Sequence, residues 1–352
     1  MSPRAPSATR SVRIGTLTIG GGAPVAVQSM CSTRTDDVRS TLRQIRRLEK
    51  AGCEIVRLAV PDEKAAAALP AIRDRTSLPL VADIHFDYRL ALAAIRAGFD
   101  KVRINPGNIG AEWKVREVIA AAADSGVAIR IGVNSGSVEK SILKKYRRPT
   151  PAALVESLAA SIELFARMDF ASLVLSAKTS SVPDLIETCR LIARNWNYPQ
   201  HLGLTEAGLP FEGAIRSAAA LGLLLHEGIG DTVRISLAGD PVLEVEAAWE
   251  LLAALELRRR GPVLIACPTC GRTGIDVPGL ARKLKTRLRA ESRPLKIAVM
   301  GCVVNGPGEA READFGICGG RGRGVIFSRG KVVRTCREAE LIPALLEVIR
   351  KS

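Results

Sequence analysis

Aromatic side chains are scarce in this sequence: Phe, Trp and Tyr make up 4% of its 352 residues. Proteins that hold single-stranded nucleic acid stack its bases on such rings, so the scarcity argues against base stacking as the main activity. That holds although the formal net charge is +15. Much of the excess sits in short runs, Arg46-Arg47, Lys144-Lys145, Arg147-Arg148 and Arg258-Arg259-Arg260, the pattern of a solvated face. Long apolar runs are also lacking. None suits a bilayer crossing, and the opening MSPRAPSATR has no apolar core of signal-peptide length. The expectation is a cytoplasmic protein with no membrane and no nucleic-acid partner.

Cysteine, by contrast, is plentiful: positions 31, 53, 189, 267, 270, 302, 318 and 336. In a reducing compartment, clustered cysteines point to metal binding or catalysis more than to disulfides.

A hydrophobic content of 47% supports one large domain and one small one. Eight short apolar runs read as strands: 25–30, 53–60, 78–85, 100–106, 127–134, 170–178, 200–207 and 231–238. Their nearly continuous apolar character is that of strands buried on both faces. Helical patterns at 36–51, 86–98, 111–126, 151–169, 183–196, 212–228 and 241–257 alternate with them. This rhythm predicts an α/β protein whose first part is a (β/α)8 TIM barrel over residues 1–257. An open doubly wound sheet is the alternative. The segment VRIGTLTIGGGAPV reads as a hairpin plugging the barrel bottom. Beyond a linker, RRRGPV, residues 258–352 form a smaller α+β domain. It has a basic helix at 278–291, a strand at 297–304, a Gly-rich hairpin beginning at GGRGRG and a closing helix at 340–350.

Four predicted strands place an arginine between aliphatic residues: Arg57, Arg103, Arg130 and Arg234. Lys178 ends another strand in a similar place. A guanidinium inside a buried strand is costly unless paired, although any one of the four could snorkel outward between helices. Only Asp83 and Glu206 lie near the same strand ends, so two acids face five cations. A polyanion is the natural missing partner, and arginine forks suit phosphate oxygens. Gln28, His85, Asn105, Asn134, His201 and Ser236 gather at the same C-terminal strand ends, the face where barrel enzymes work. His226, inside a helix, reads as structural.

The motif CPTC supplies Cys267 and Cys270, and Cys302 arrives in MGCVVNGPGE. Zinc ribbons, redox dithiols and iron–sulfur sites share the CxxC spacing. A zinc site would want a fourth ligand, for which Cys318 is the best candidate. An iron–sulfur site could instead take a substituted ligand, and a Gly-Pro-Gly turn presents Glu309 seven residues after Cys302.

Taken with VADIHFDYRLAL, RINPGNIG, RIGVNSGS, HLGLTEAG and LGLLLHEGIGDTVRISLAGDP, these last two motifs make a close likeness. The chain resembles the bacterial 4-hydroxy-3-methylbut-2-enyl diphosphate synthases of the methylerythritol phosphate route to isoprenoids. The resemblance covers nearly the whole chain. It implies a [4Fe-4S] cluster on Cys267, Cys270, Cys302 and Glu309, and a substrate, 2-C-methyl-D-erythritol 2,4-cyclodiphosphate, held by the arginines above. It further implies reductive ring opening with loss of water, using two electrons from ferredoxin or flavodoxin. By the same likeness Glu206 is the barrel acid/base, Asn305 contacts substrate beside the cluster, and Lys178, His85, His201 and Ser236 line the diphosphate pocket. The rivals are a zinc-ribbon nucleic-acid-binding protein and a phosphate-binding barrel with a structural zinc tail.

Barrel topology adds an expectation of its own. The last barrel helix runs back about 25 Å from the catalytic face, so the linker starts at the bottom. A short linker cannot easily carry the cluster domain over its own barrel mouth. A homodimer is expected, with each cluster domain capping its partner's barrel.

Overall fold

Two periodicities in the chain, alternating strands and amphipathic helices, resolve into a closed barrel and a separate mixed sheet. In the computed structural model, which describes residues 9–302, 308, 312–320 and 322–352, the chain divides into two compact units. The first ends at Arg258 and the second spans Arg259–Ser352.

An antiparallel pair, β1 (Val12–Ile14) and β2 (Leu17–Ile19), comes first. Eight parallel strands follow: β3 (Ala26–Met30), β4 (Ile55–Ala59), β5 (Leu80–Asp83), β6 (Lys101–Ile104), β7 (Ala128–Asn134), β8 (Leu173–Lys178), β9 (His201–Leu202) and β10 (Thr232–Val233). Their order is β8-β7-β6-β5-β4-β3-β10-β9, and a parallel bridge from Leu175 to Gln200 links the two ends. This is the TIM barrel that the strand rhythm predicts.

Side chains alternate across a strand, and the barrel uses both faces. Val56, Leu58, Val102, Ile104, Ile129, Ile131, Val233 and Ile235 join the core between the strands and the surrounding helices. Arg57, Arg103, Arg130 and Arg234, one residue out of phase, therefore face the barrel interior. The outward-snorkelling alternative is excluded. At the bottom, Val12, Ile14 and Ile19 of the hairpin pack against Ala26, Ile55, Val81, Ala128 and Val174 from the starts of five strands. The hairpin is the expected plug.

The helices carry local signals that explain their ends. In helix Val38–Ala51, Asp37 accepts from the Ser40 N–H, and Gly52 closes the last turn at φ 98°. Both are standard caps, and Leu42, Ile45 and Leu48 form its buried stripe. Helix Glu63–Arg73 is absent from the sequence reading because Pro70 stands inside it, and proline in a helix interior normally breaks the pattern. The short helices Pro106–Ile109 and Lys140–Tyr146 were likewise not anticipated. After helix Pro241–Ala254, Arg258 donates to the Val25 carbonyl at 2.6 Å and to Glu54 at 2.8 Å. Those residues precede β3 and β4, so the first unit ends at the barrel bottom.

The second unit is a five-stranded sheet in chain order: β11 (Val263–Ala266), β12 (Lys296–Met300), β13 (Phe315–Gly320), β14 (Arg323–Ser328) and β15 (Lys331–Arg337). The first three strands are parallel and the last two pair antiparallel. Helices Val277–Arg287 and Leu341–Lys351 pack on it. β11 occupies part of the expected linker, and β13 was hidden by its glycines. Those glycines are required by close approach: a Cβ at Gly316 would come within 2.6 Å of the Ala298 carbonyl oxygen, and one at Gly319 within 2.6 Å of Ile275. No described helix is long and apolar enough to cross a membrane.

Candidate active site

The inward phase of the strands brings distant residues around one polar cavity of about 170 Å³. Arg57, His85, Arg103, Arg130, Asn134, Lys178, Arg234 and Ser236, all singled out from the sequence, line it. Asp83, Gly132, Ser176 and Thr205 complete the wall. Two glycines make room for the cations. A Cβ at Gly132 would collide with Arg103 Nε, and one at Gly203 would lie 2.9 Å from Lys178 Nζ.

Asp83 is the hub of the near wall. Its carboxylate lies 3.3 Å from Arg103 Nη1, 4.0 Å from Arg57 Nε and 3.3 Å from His85 Nε2. Burial alone would raise the Asp83 carboxyl. The Arg57 charge, the His85 hydrogen bond, Arg103 and Arg130 outweigh burial and hold it well below the usual carboxylate range. On the far wall Arg234 makes a fork with Glu244, Nη2 at 2.8 Å and Nε at 3.1 Å. Glu244 comes from helix Pro241–Ala254 and is 2% exposed. It was not foreseen, and it takes the compensating role that the sequence count gave to Glu206.

Five cations therefore share two carboxylates. Burial pushes Arg57 down to about 10, with Asp83 opposing; its guanidinium stays charged at neutral pH. Burial and then the charges of Arg57 and Arg103 act against Arg130 in the same sense, and burial, Arg57 and Arg234 against Lys178. Nε and Nη1 of Arg130 and Nε of Arg103 are buried without a hydrogen-bond partner in the protein. Buried donors of this kind call for acceptors, which an anion in the cavity can supply.

Four expected residues, Asn105, His201, Gln28 and Glu206, are not part of the cavity wall. Asn105 is 1% exposed. Its amide caps helix Pro106–Ile109 through Gly107 N–H and donates to Ser137 Oγ at 3.1 Å. His201 is buried within the barrel, with Nδ1 2.8 Å from Thr232 Oγ1 and no partner for Nε2. Burial, then Arg130, Lys178 and Lys101, keeps its imidazole well below the ordinary histidine range. Gln28, also buried, has no partner for its amide. Glu206 is exposed at φ 53°, next to the wall residue Thr205. Asn305 and Glu309 lie outside the described residues.

The second unit gathers thiols at the C-terminal ends of its parallel strands. Cys267 directly follows β11, and its N–H donates to the Val299 carbonyl of β12 at 3.1 Å. Cys302 comes two residues after β12. The Gly301 N–H donates to Cys267 Sγ at 3.1 Å. Cys270 is exposed in a turn closed by Thr273 Oγ1, which accepts from its N–H at 2.9 Å. Gly274 N–H then reaches the Gly301 carbonyl at 2.9 Å, tying the CPTC loop to the approach to Cys302. Cys318, in β13, donates its thiol to the Cys302 carbonyl at 3.0 Å.

Residues 9–249 match the family described as GcpE TIM-barrel domain, and residues 263–351 match that described as GcpE protein C-terminal domain. The chain belongs to the GcpE family. A curated relative in Thermodesulfovibrio yellowstonii, named 4-hydroxy-3-methylbut-2-en-1-yl diphosphate synthase (flavodoxin), is 51% identical over 97% of this chain and 98% of its own. One of the same name in Maridesulfovibrio salexigens is 54% identical over 97% and 96%. Among solved structures, a Yersinia pestis DHPS bound to a pterine-sulfa conjugate superimposes with a TM-score of 0.52. It is 13% identical, over 70% of this chain and 98% of that chain, a likeness of barrel fold alone.

A GcpE chain is expected to hold an iron–sulfur cluster, and the donors suit one. Three thiols lie along the sheet's C-terminal edge, and a backbone N–H already points at one sulfur, the kind of bond that tunes such clusters. Among the described residues, no three His, Cys, Asp or Glu side chains converge closely enough to hold a metal ion. The fourth expected ligand, Glu309, is not among those residues.

Proposed function

We propose that this chain carries out the reductive ring opening of 2-C-methyl-D-erythritol 2,4-cyclodiphosphate to 4-hydroxy-3-methylbut-2-enyl diphosphate, a step of isoprenoid precursor synthesis. The observation that carries the reading is the cavity whose five cations outnumber their carboxylates, with buried guanidinium N–H groups that have no protein acceptor. The names of relatives about half identical over nearly the whole chain support the same reaction and a flavodoxin as electron donor, with ferredoxin as the other candidate.

The chemistry asks for two electrons and two protons. One ring C–O bond breaks, and one oxygen leaves as water. The diphosphate sits among Arg57, Arg103, Arg130, Lys178 and Arg234, where the anion supplies the acceptors those side chains need. Asp83 keeps the forks of Arg57 and Arg103 aimed, and Glu244 does so for Arg234. Bound anion also opposes the lowering of the Lys178 pKa, since a nearby negative charge favours the ammonium form. His85, Asn134 and Ser236 add further hydrogen-bonding groups, and His201 and Asn105 hold the layer beneath or beside them. Glu206, on its strained loop, is the group that moves a proton, and Asn305 orients the substrate. When held by Cys267, Cys270, Cys302 and Glu309, a [4Fe-4S] cluster supplies electrons one at a time. Residues 1–257 form the substrate domain and 258–352 the cluster domain, in a cytoplasmic enzyme.

The active species is a homodimer in which each cluster domain serves its partner's barrel. The exit of the first unit at the barrel bottom, where Arg258 binds Glu54, supports this arrangement. Exposed Phe211 and Ile215 of helix Pro210–His226, with Leu209 just before it, offer an apolar contact for a second copy. Co-expressed Cys302→Ala and Glu206→Ala chains should recover activity in mixed dimers. Confirmed mixed dimers without recovery would sink the arrangement. For the function itself, the test is anaerobic purification with iron, sulfide and zinc analysis. About four irons and four sulfides are expected; one zinc in a colourless protein contradicts the reading.

A further inference from the structure

Helix Val277–Arg287 carries Arg282, Lys283, Lys285 and Arg287 and no acidic residue. Between it and helix Leu341–Lys351 runs a groove of about 940 Å³, separate from the barrel cavity. Leu280, Ile342 and Leu346 form its apolar floor, and Lys283, Arg287 and Arg350 its rim. The rim cations are exposed and have no carboxylate partner among the described residues. Two acids line one end of the groove, but both are engaged inside the fold. Asp276 accepts from the Gly279 N–H at 2.9 Å as a helix cap, and Glu338 accepts from the Asp276 N–H at 2.8 Å.

That same end abuts the cysteines. A Cβ on Gly301, the residue before Cys302, would lie 2.8 Å from Val277 Cγ2, so the first turn of the helix is packed on the approach to Cys302. Lys283 and Arg287 lie seven and eleven residues beyond Asp276, about 10 and 16 Å along the helix axis at 1.5 Å per residue. An apolar strip with a cationic rim therefore leads away from the thiol-bearing strand ends.

We propose that this groove is the docking surface for an acidic one-electron carrier protein of the flavodoxin class. Carboxylates of the carrier meet Lys283, Arg287 and Arg350, and apolar residues beside them pack on Leu280, Ile342 and Leu346. The inference rests on the reading that the second unit holds a cluster supplied by such a carrier. A nucleic acid is disfavoured as occupant because no aromatic ring lines the groove to stack a base. Rim charges of this kind steer encounter and fix orientation, while the floor excludes water.

The test uses the full-length holoprotein, purified anaerobically, and oxidised flavodoxin as the probe in titration calorimetry. Lys283→Glu/Arg287→Glu should weaken binding by about tenfold or more at low salt, and Arg350→Glu, on the facing helix, should weaken it in the same direction. Arg75→Glu/Arg96→Glu, an equal charge change on the barrel surface, should leave it unchanged. Dithionite-driven turnover should survive all three variants, while flavodoxin-driven turnover falls in the groove variants. Equal affinity of the groove variants and the parent protein overturns the proposal, as does an equal loss in the barrel-surface variant. Carrier binding that depends on the groove, in a protein that dithionite cannot drive, would support the docking surface and contradict the functional reading instead.

Discussion

Glu244→Ala perturbs the barrel mouth at the residue on which one whole wall depends. The Glu244 carboxylate is buried and accepts four hydrogen bonds: two from Arg234, one from Ser29 Oγ at 2.8 Å and one from the Leu237 N–H at 3.0 Å. The strand preceding Arg234 is only Thr232–Val233, so beyond it little ladder remains to hold the backbone. Glu244 replaces the ladder as the clamp on residues 234–237. Alanine removes one partner of a buried pair and leaves the guanidinium beside other cations, a change that costs about 3–5 kcal/mol. For a domain of this size each kcal/mol lowers the melting temperature by roughly 2–4 °C. Anaerobic thermal unfolding should therefore show the barrel transition about 6–20 °C lower. KM for the cyclic diphosphate should rise by about tenfold, corresponding to some 1.4 kcal/mol of lost positioning. Glu244→Gln keeps an acceptor for one arm of Arg234 and should fall between. A Glu244→Ala protein that melts within 2 °C of the parent, roughly the shift from 1 kcal/mol, with KM unchanged, would refute the clamp.

Other perturbations follow from the same electrostatics. Asp83 is held well below its unfolded range, so its stabilisation is complete above about pH 4 and is lost as pH falls below that. Asp83→Asn should thus be less stable at pH 7 by urea titration, and the gap should close in acid; a gap independent of pH contradicts the ion-pair role. Lys101 is fully buried with no partner for Nζ, and burial, Arg130 and Arg57 lower its pKa. Unfolding then takes up a proton below about pH 10.4, so the amine destabilises most at lower pH. Lys101→Met should be at least as stable at pH 7, with an advantage that shrinks towards pH 10; a Met variant less stable at every pH refutes this. Cys270→Ser, on an exposed loop, should lose cluster iron and sulfide while leaving the barrel melting transition in place.

The repeat of an arginine between aliphatics in four strands made the cation cluster legible. The sequence left outward snorkelling open for each arginine, and the structure closes it because the flanking aliphatics belong to the outer core; Lys178, Asn134 and Ser236, grouped with them by their strand-end positions, line the same cavity. Residues whose role depends on partners far along the chain were not legible. Glu244 sits in an amphipathic helix, where an acid reads as solvated, and only the barrel's closure brings it to Arg234 and Ser29. Lys101 stands at the start of a strand, where a charge reads as an edge, yet the lumen buries it completely. Asn105 looks like a donor at the mouth, but the proline after it starts a short helix that uses its amide as a cap. Helix Glu63–Arg73 and strand Phe315–Gly320 were missed because Pro70 and the glycines at 316, 319 and 320 act against the propensity of the element they occupy.

The measurement closest to the central claim is a single incubation. Anaerobically purified protein, 2-C-methyl-D-erythritol 2,4-cyclodiphosphate and reduced flavodoxin or dithionite are followed by phosphorus NMR. The account predicts that the cyclic diphosphate disappears as a linear allylic diphosphate forms, and that an Arg130→Met barrel does not convert it. A cyclic diphosphate left intact by protein with a full complement of iron and sulfide would contradict it.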